Sequence, residues 1–183
     1  MAHEYLQSKK LDKRFQIAAD FLKCKTENQI IVDLNCGSSR ILDYIEDDYW
    51  LYMGNDIDKT LLRPNTKKTV FLHNKDDEIV SIVKVYPFPV DILLVFGMGA
   101  GDVHESPYES PTLQKSVLEI LECAQPKYLL LETALKWENR FTPISRIRDK
   151  IKGYNVVMVQ EIIVDNDLED LSNRFIMIME RVG

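Results

Sequence analysis

Asp33 and Gly37 lie in the segment Val32-Asp33-Leu34-Asn35-Cys36-Gly37-Ser38-Ser39-Arg40, and Asp56 closes the segment Leu51-Tyr52-Met53-Gly54-Asn55-Asp56. A carboxylate presents two acceptor oxygens, so Asp56 suits a vicinal diol. Gly37 lets a ligand approach the main chain with no Cβ in the way. A second group follows the run that contains Gly97, Gly99 and Gly101, namely Asp102, His104 and Glu105. Histidine titrates near neutrality, so His104 with Asp102 beside it supplies the acid–base candidates. Each residue also has a structural use. Gly37 can serve as a strand-to-helix turn, Asp33 as a helix cap, Asp56 as an ordinary strand-end acid, and His104 as a solvent-facing loop side chain.

The elements that must position these residues follow from hydrophobic periodicity. Leu11, Phe15, Ala18, Ala19 and Leu22 recur at helical spacing. Residues 29–34 form a short β-branched strand, and 38–46 a helix with Ile41, Leu42 and Ile45 inward. Strands are expected over 49–57 and 69–73, with Asp58 starting a helix after the first of them, then a helix over 76–85. The run 91–96 is apolar on both faces, as a central parallel strand under helices should be. A helix opens at Pro111 and Thr112, a strand covers 127–132, and a helix covers 143–152 with Gly153 as its cap. Strands over 154–164 and 174–180 close the chain. This order predicts an α/β fold, a three-layer sandwich around a mostly parallel seven-stranded sheet with an antiparallel last strand. The whole chain, 1–183, reads as one domain, with 1–26 as its N-terminal helical segment.

Composition narrows the function. The net charge of −6 disfavours a domain that grips nucleic acid by bulk electrostatics, leaving only a local basic patch for that purpose. Three scattered cysteines and three scattered histidines offer no metal-ligand spacing, so no metal site is expected. Together with the lack of a membrane-length apolar run or a signal-like N-terminus, the unpaired cysteines point to a cytoplasmic protein without a membrane partner. Trp50, Tyr52, Trp137 and Phe141 are candidates for an aromatic substrate pocket or for core packing.

In an open α/β sheet, ligands bind past the carboxyl ends of strands, so the loop after the first strand is the place to look. A dinucleotide fingerprint would need glycines at 35, 37 and 40 and finds Asn, Gly and Arg, and no P-loop is present. The segment instead resembles the class I S-adenosylmethionine-dependent methyltransferases. Their pattern is an acid followed by glycines at alternate positions, and Asp33, Asn35, Gly37 and Ser39 occupy those places. Asp56, about 20 residues further on, matches the acid that ends the second strand.

The resemblance implies a Rossmann-like fold with S-adenosylmethionine as cofactor. It implies that Asp33, directly or through water, faces the ammonium of that cofactor, that Gly37, with Asn35 and Ser39, lines the amino-acid end, and that Asp56, with Ile57 beside it, meets the ribose. Asn74 and Asp76 fall where the family places an acid or amide on the adenine, and Gly97 falls at the cleft end of the fourth strand. The Asn/Asp-Pro-Pro-aromatic segment of amino-group methylation is absent from 96–102. Residues 91–94 and 126–132 are also similar to DNA cytosine-5 methyltransferases, but no Pro-Cys nucleophile follows. The expected function is methyl transfer to a small molecule or a protein side chain. The alternatives are a non-catalytic cofactor-binding or regulatory module of the same fold, and a nucleic-acid methyltransferase.

Overall fold

The computed structural model describes residues 12–25, 29–45, 49–73, 76–85, 89–98, 115–134, 136–137, 140–141, 151–162 and 174–183. Their elements are α1 (Asp12–Lys23), β1 (Gln29–Leu34), α2 (Leu42–Ile45), β2 (Tyr49–Asp56), β3 (Thr69–His73), α3 (Asp76–Val85) and β4 (Ile92–Met98). There follow α4 (Lys115–Cys123), β5 (Tyr128–Ala134), the short pair β6 (Lys136–Trp137) and β7 (Arg140–Phe141), then β8 (Tyr154–Ile162) and β9 (Arg174–Arg181). Seven strands make one sheet in the order β3-β2-β1-β4-β5-β9-β8. β1 to β5 pair in parallel, and β9 runs antiparallel to both β5 and β8. The expected sheet, with a single reversed last strand, is therefore the observed one.

Strand alternation divides the interior in two. Val32, Leu34, Met53, Leu93 and Val95 face α3 and α4, which contribute Ile79, Val83, Val117 and Ile120. Ile31, Tyr52, Ile92, Leu94 and Leu130 face α1 and the end of α2, which contribute Phe15, Ala18, Ala19, Leu22 and Ile45. Ile92 to Val95 are buried whichever side they face, because β4 lies at the middle of the sheet. The switch in strand order falls between β1 and β4, so the carboxyl ends of these strands flank a natural crevice.

Three local departures from expectation have physical causes. The second helix begins later than expected: Leu42, Asp43 and Tyr44 donate to carbonyls three residues back, and α-type bonding starts at Ile45. Ser39 holds φ +50°, which blocks right-handed winding before it. β4 runs on to Met98, because two of its residues, Phe96 and Gly97, stand against Glu132 alone in a β-bulge. Asp58, expected to start a helix after β2, caps a turn instead. Its Oδ1 accepts from Thr60 N at 2.9 Å and from Thr60 Oγ1 at 2.6 Å, and residues 62–68 then return without helix. Pro64 disfavours helical backbone at Arg63, while Arg63 donates to Ser38 O at 2.7 Å and grips both oxygens of Asp43 at 2.8 and 3.0 Å. The same segment covers edge strand β3, since Asn65 Oδ1 accepts Phe71 N and Thr66 N donates to Thr69 O.

The α1 face also buries charge. Glu132 of β5 is fully buried between Arg174, whose Nε and Nη2 donate to its two oxygens, and Arg14 of α1, whose Nη1 lies 3.4 Å from Oε2. This cluster joins the N-terminal helix to the reversed strand beneath the crevice. Removing the central charge takes from two buried guanidinium groups the carboxylate they share. Glu132→Gln is therefore expected to lower the unfolding free energy by about 3 kcal/mol or more, measured by urea denaturation; a loss below 1 kcal/mol would show that the arginines are solvated.

Candidate functional site

The loop between β1 and α2 is built on left-handed backbone. Asn35 has φ +54°, Gly37 +54° and Ser39 +50°. These are the three alternate positions at which the sequence pattern asks for glycine, and the chain keeps the backbone where it has lost two of the glycines. Asparagine visits this region readily, whereas serine does so at a cost. Hydrogen bonds hold the conformation. Cys36 N donates to Asn55 O at 2.8 Å, Ser39 N to Cys36 O at 2.8 Å, and Gly37 N to Asp56 Oδ2 at 2.9 Å. Close packing adds to them: a Cβ on Gly54 would come within 2.8 Å of Cys36 Sγ.

Asp56 is buried, and its other oxygen accepts from Asp58 N at 2.8 Å. One carboxylate thus ties the loop after β1 to the turn after β2. Each oxygen retains further lone-pair capacity. Sequence reasoning treats Asp56 as having few structural contacts. The structure corrects this, because the side chain is part of the loop's framework.

Asp33 lies beneath the loop, buried, and accepts a hydrogen bond from the Tyr52 hydroxyl. Burial pushes its carboxyl up to about 7, opposed by the Tyr52 hydrogen bond and the Arg14 guanidinium and reinforced by Asp56. Burial and the nearby Asp33 raise the Cys36 thiol as well, so it is no thiolate nucleophile. Ser39 Oγ is buried beside Tyr52 and Cys36 and makes no hydrogen bond of good geometry. Among the described residues, nothing lies within 4 Å of where a Cβ on Gly37 would stand, so this turn borders open space there.

The structure brings Asp33, Asn35, Gly37, Ser39 and Asp56 together at the ends of β1 and β2. Ile57 follows with its side chain 63% exposed, an apolar surface beside the same turn, and His73 Nε2 lies 3.0 Å from Ile57 O. Asp76 is the first residue of α3 and Gly97 belongs to the β4 bulge. Asn74, Asp102 and His104 lie outside the described residues. Trp50 is 60% exposed whereas Tyr52 is fully buried, so these two do not share an aromatic pocket. Tyr52 belongs to the site instead, under the loop. Sequence reasoning missed that role; the available signal was an alternation placing Tyr52 and Asp56 on one face of β2. A groove of about 760 Å³ lined by Leu42, Tyr49, Arg63 and Phe71 lies by the first residues of β2 and β3, at the strand ends opposite the loop.

No protein-family model matches the chain, and a search of curated proteins finds no match. Solved structures do match. Magnesium protoporphyrin IX methyltransferase from Synechocystis PCC 6803, crystallised with bound SAH, superposes with a TM-score of 0.65 at 10% identity, covering 94% of this chain and 84% of that one. The fold is that of the class I S-adenosylmethionine-dependent methyltransferases. The methyltransferase domain of bacterial CtHen1 gives a TM-score of 0.61 at 15% identity over 94% of this chain and 100% of that one. An rRNA methylase from Streptococcus thermophilus gives 0.56 at 12% identity over 91% and 95%. The methyltransferase fold therefore spans nearly the whole sequence without close sequence likeness.

Two substitutions test the loop. At φ +50°, Ser39→Gly should be more stable than Ser39→Ala by about 1 kcal/mol, since alanine keeps the Cβ penalty that glycine lacks. Gly54→Ala should cost about 1–3 kcal/mol by overpacking against Cys36, and part of that loss should return in Gly54→Ala/Cys36→Ala. Thermal unfolding with calorimetric analysis reads both; equal stability of the two Ser39 variants would contradict the backbone assignment.

Proposed function

We propose that the chain is an S-adenosylmethionine-dependent methyltransferase acting on a small molecule or a protein side chain. The observation that carries this reading is the loop Asn35–Gly37–Ser39, left-handed at all three alternate positions and clamped by Asp56 where the strand order reverses. Two features fit a bound cofactor: the open space beside Gly37 and the buried Ser39 hydroxyl without a good partner. The cofactor would supply an electrophilic methyl group on sulfur. This chain's residues bind and orient it. Asp33 would face the ammonium, the backbone of Asn35, Gly37 and Ser39 would line the amino-acid end, and Asp56 would accept from the ribose hydroxyls through its remaining lone pairs. Ile57 would pack its exposed side chain on the adenine, and Asn74 or Asp76 and Gly97 are assigned to the adenine edge and the mouth of the cleft.

Positioning supplies much of the acceleration in such a transfer, so few further groups are needed. We assign proton removal from the acceptor to His104, with Asp102 beside it. The acidic net charge supports a small or protein acceptor over a polyanion. Without a membrane-length helix among the described residues, nothing in the fold calls for an acceptor held in a bilayer.

Titration with S-adenosylhomocysteine tests the reading. Wild-type protein should bind, and Asp56→Asn, isosteric but able to accept only one of the clamp's two main-chain bonds, should bind at least about tenfold more weakly, since charge-assisted hydrogen bonds contribute about 1.5–3 kcal/mol each. Asp58→Ala is the control, because its main-chain N–H still donates to Asp56. Absence of heat with wild type, or equal losses in both variants, would overturn the assignment.

A further inference from the structure

The polar groups under the loop do more than fill space. Glu132 is flanked by two guanidinium groups, whereas Asp33, on the same face of the sheet, receives its hydrogen bond from a neutral phenol. Among the described residues Arg14 is the cation that acts on Asp33, and its Nη1 is already directed to Glu132. The groups bearing on Asp33 are therefore Arg14 from α1, Cys36 from the loop, and Tyr52 and Asp56 from β2; Glu132 and Arg174 act through Arg14. β4 offers only Leu94 at the paired position. Among the described residues no cation bonds directly to this buried carboxyl, and the space beside Gly37, three residues past the end of β1, is open.

We propose that Tyr52 is a positioning residue that sets the charge of Asp33, so that a ligand bearing an ammonium group is taken up at the loop only as Asp33 releases a proton to solvent. The proposal rests on the cofactor reading above, and its new content is the proton linkage and the part played by Tyr52. With no cation beside it the carboxyl titrates near neutrality, because burial opposes its charge. A cation placed beside it favours the carboxylate, so the proton leaves for bulk water and no covalent bond changes. Only the deprotonated fraction is competent, and apparent affinity scales with that fraction. The hydroxyl of Tyr52 stabilises the charged form by donating to it. Affinity for an ammonium-bearing ligand thus rises with pH, and removal of the hydroxyl moves the rise to higher pH.

The ligands that test this are S-adenosylhomocysteine, which has the ammonium, and 5′-methylthioadenosine, which keeps the nucleoside and lacks the amino acid. Calorimetric titrations across pH 6 to 8 should show wild type binding the first about tenfold more tightly at the upper end, with affinity for the second unchanged. Groups on the nucleoside side of the site would move both ligands alike. Asp33→Asn, neutral at every pH, should lose the pH dependence and bind S-adenosylhomocysteine at least about tenfold more weakly than wild type at pH 8. Tyr52→Phe should shift the midpoint of the curve upward, whereas a purely structural loss would weaken binding equally at every pH. Binding of both ligands with flat or parallel pH curves, or an unshifted midpoint in Tyr52→Phe, overturns this inference and leaves the cofactor reading standing. Binding of neither ligand overturns both.

Discussion

The Asp56 carboxylate holds two pieces of main chain at once, Gly37 N in the loop after β1 and Asp58 N in the turn after β2. β1 and β2 are parallel neighbours, and the Cys36 N to Asn55 O bond carries their ladder one step beyond the strands. Beyond that step the carboxylate ties the two connections together at their start, and Arg63 bonds Ser38 O from further along the second. Magnitudes show why this matters. A non-glycine residue in left-handed backbone costs about 1–2 kcal/mol, and both Asn35 and Ser39 bear that strain. Hydrogen bonds to a charged group contribute about 1.5–3 kcal/mol each. The clamp is therefore of the right size to offset the strain, and the loop's shape depends on it.

The same constraint explains why the site is polar below as well as above. Loop and turn are drawn down onto the ends of β1 and β2, and what lies beneath is closed off from water. Asp33, Tyr52 and Ser39 are buried there, and Arg14, Glu132 and Arg174 extend the polar layer under α1. Two carboxyl groups on this face have different surroundings: Glu132 is held by guanidinium groups, whereas Asp33 has a phenol and a desolvated setting. Glu132 secures the layer between helix and sheet. Asp33 is left responsive to a charge that arrives from outside.

Much of this was legible in the sequence. β1 and β3 fall where alternation places them, and β4, buried on both faces, is marked by its unbroken apolar run. The acid, the single glycine and the second acid at their spacing mark the loop and its neighbour strand correctly. What escaped depends on geometry that residue types do not announce. Asn35 and Ser39 read as lost glycines, yet neighbouring strands impose the glycine-like backbone on them. The delayed start of α2 follows from that same backbone at Ser39. The missing helix after β2 traces to Arg63-Pro64 and to the contacts Arg63 makes with Ser38 and Asp43, which no periodicity reveals. Tyr52 reads as a core aromatic, and only the placement of β2 beside β1 shows its hydroxyl on Asp33.

Hydrogen–deuterium exchange with and without S-adenosylhomocysteine tests the central claim most directly, because it reports where on the chain a ligand settles. If the left-handed loop and the Asp56 clamp form the cofactor site, added ligand should slow exchange in peptides spanning 35–39 and 55–58. The peptides of β8, at the far edge of the sheet, should be unchanged. Protection confined to other parts of the chain, with the loop after β1 exchanging as before, would contradict the account.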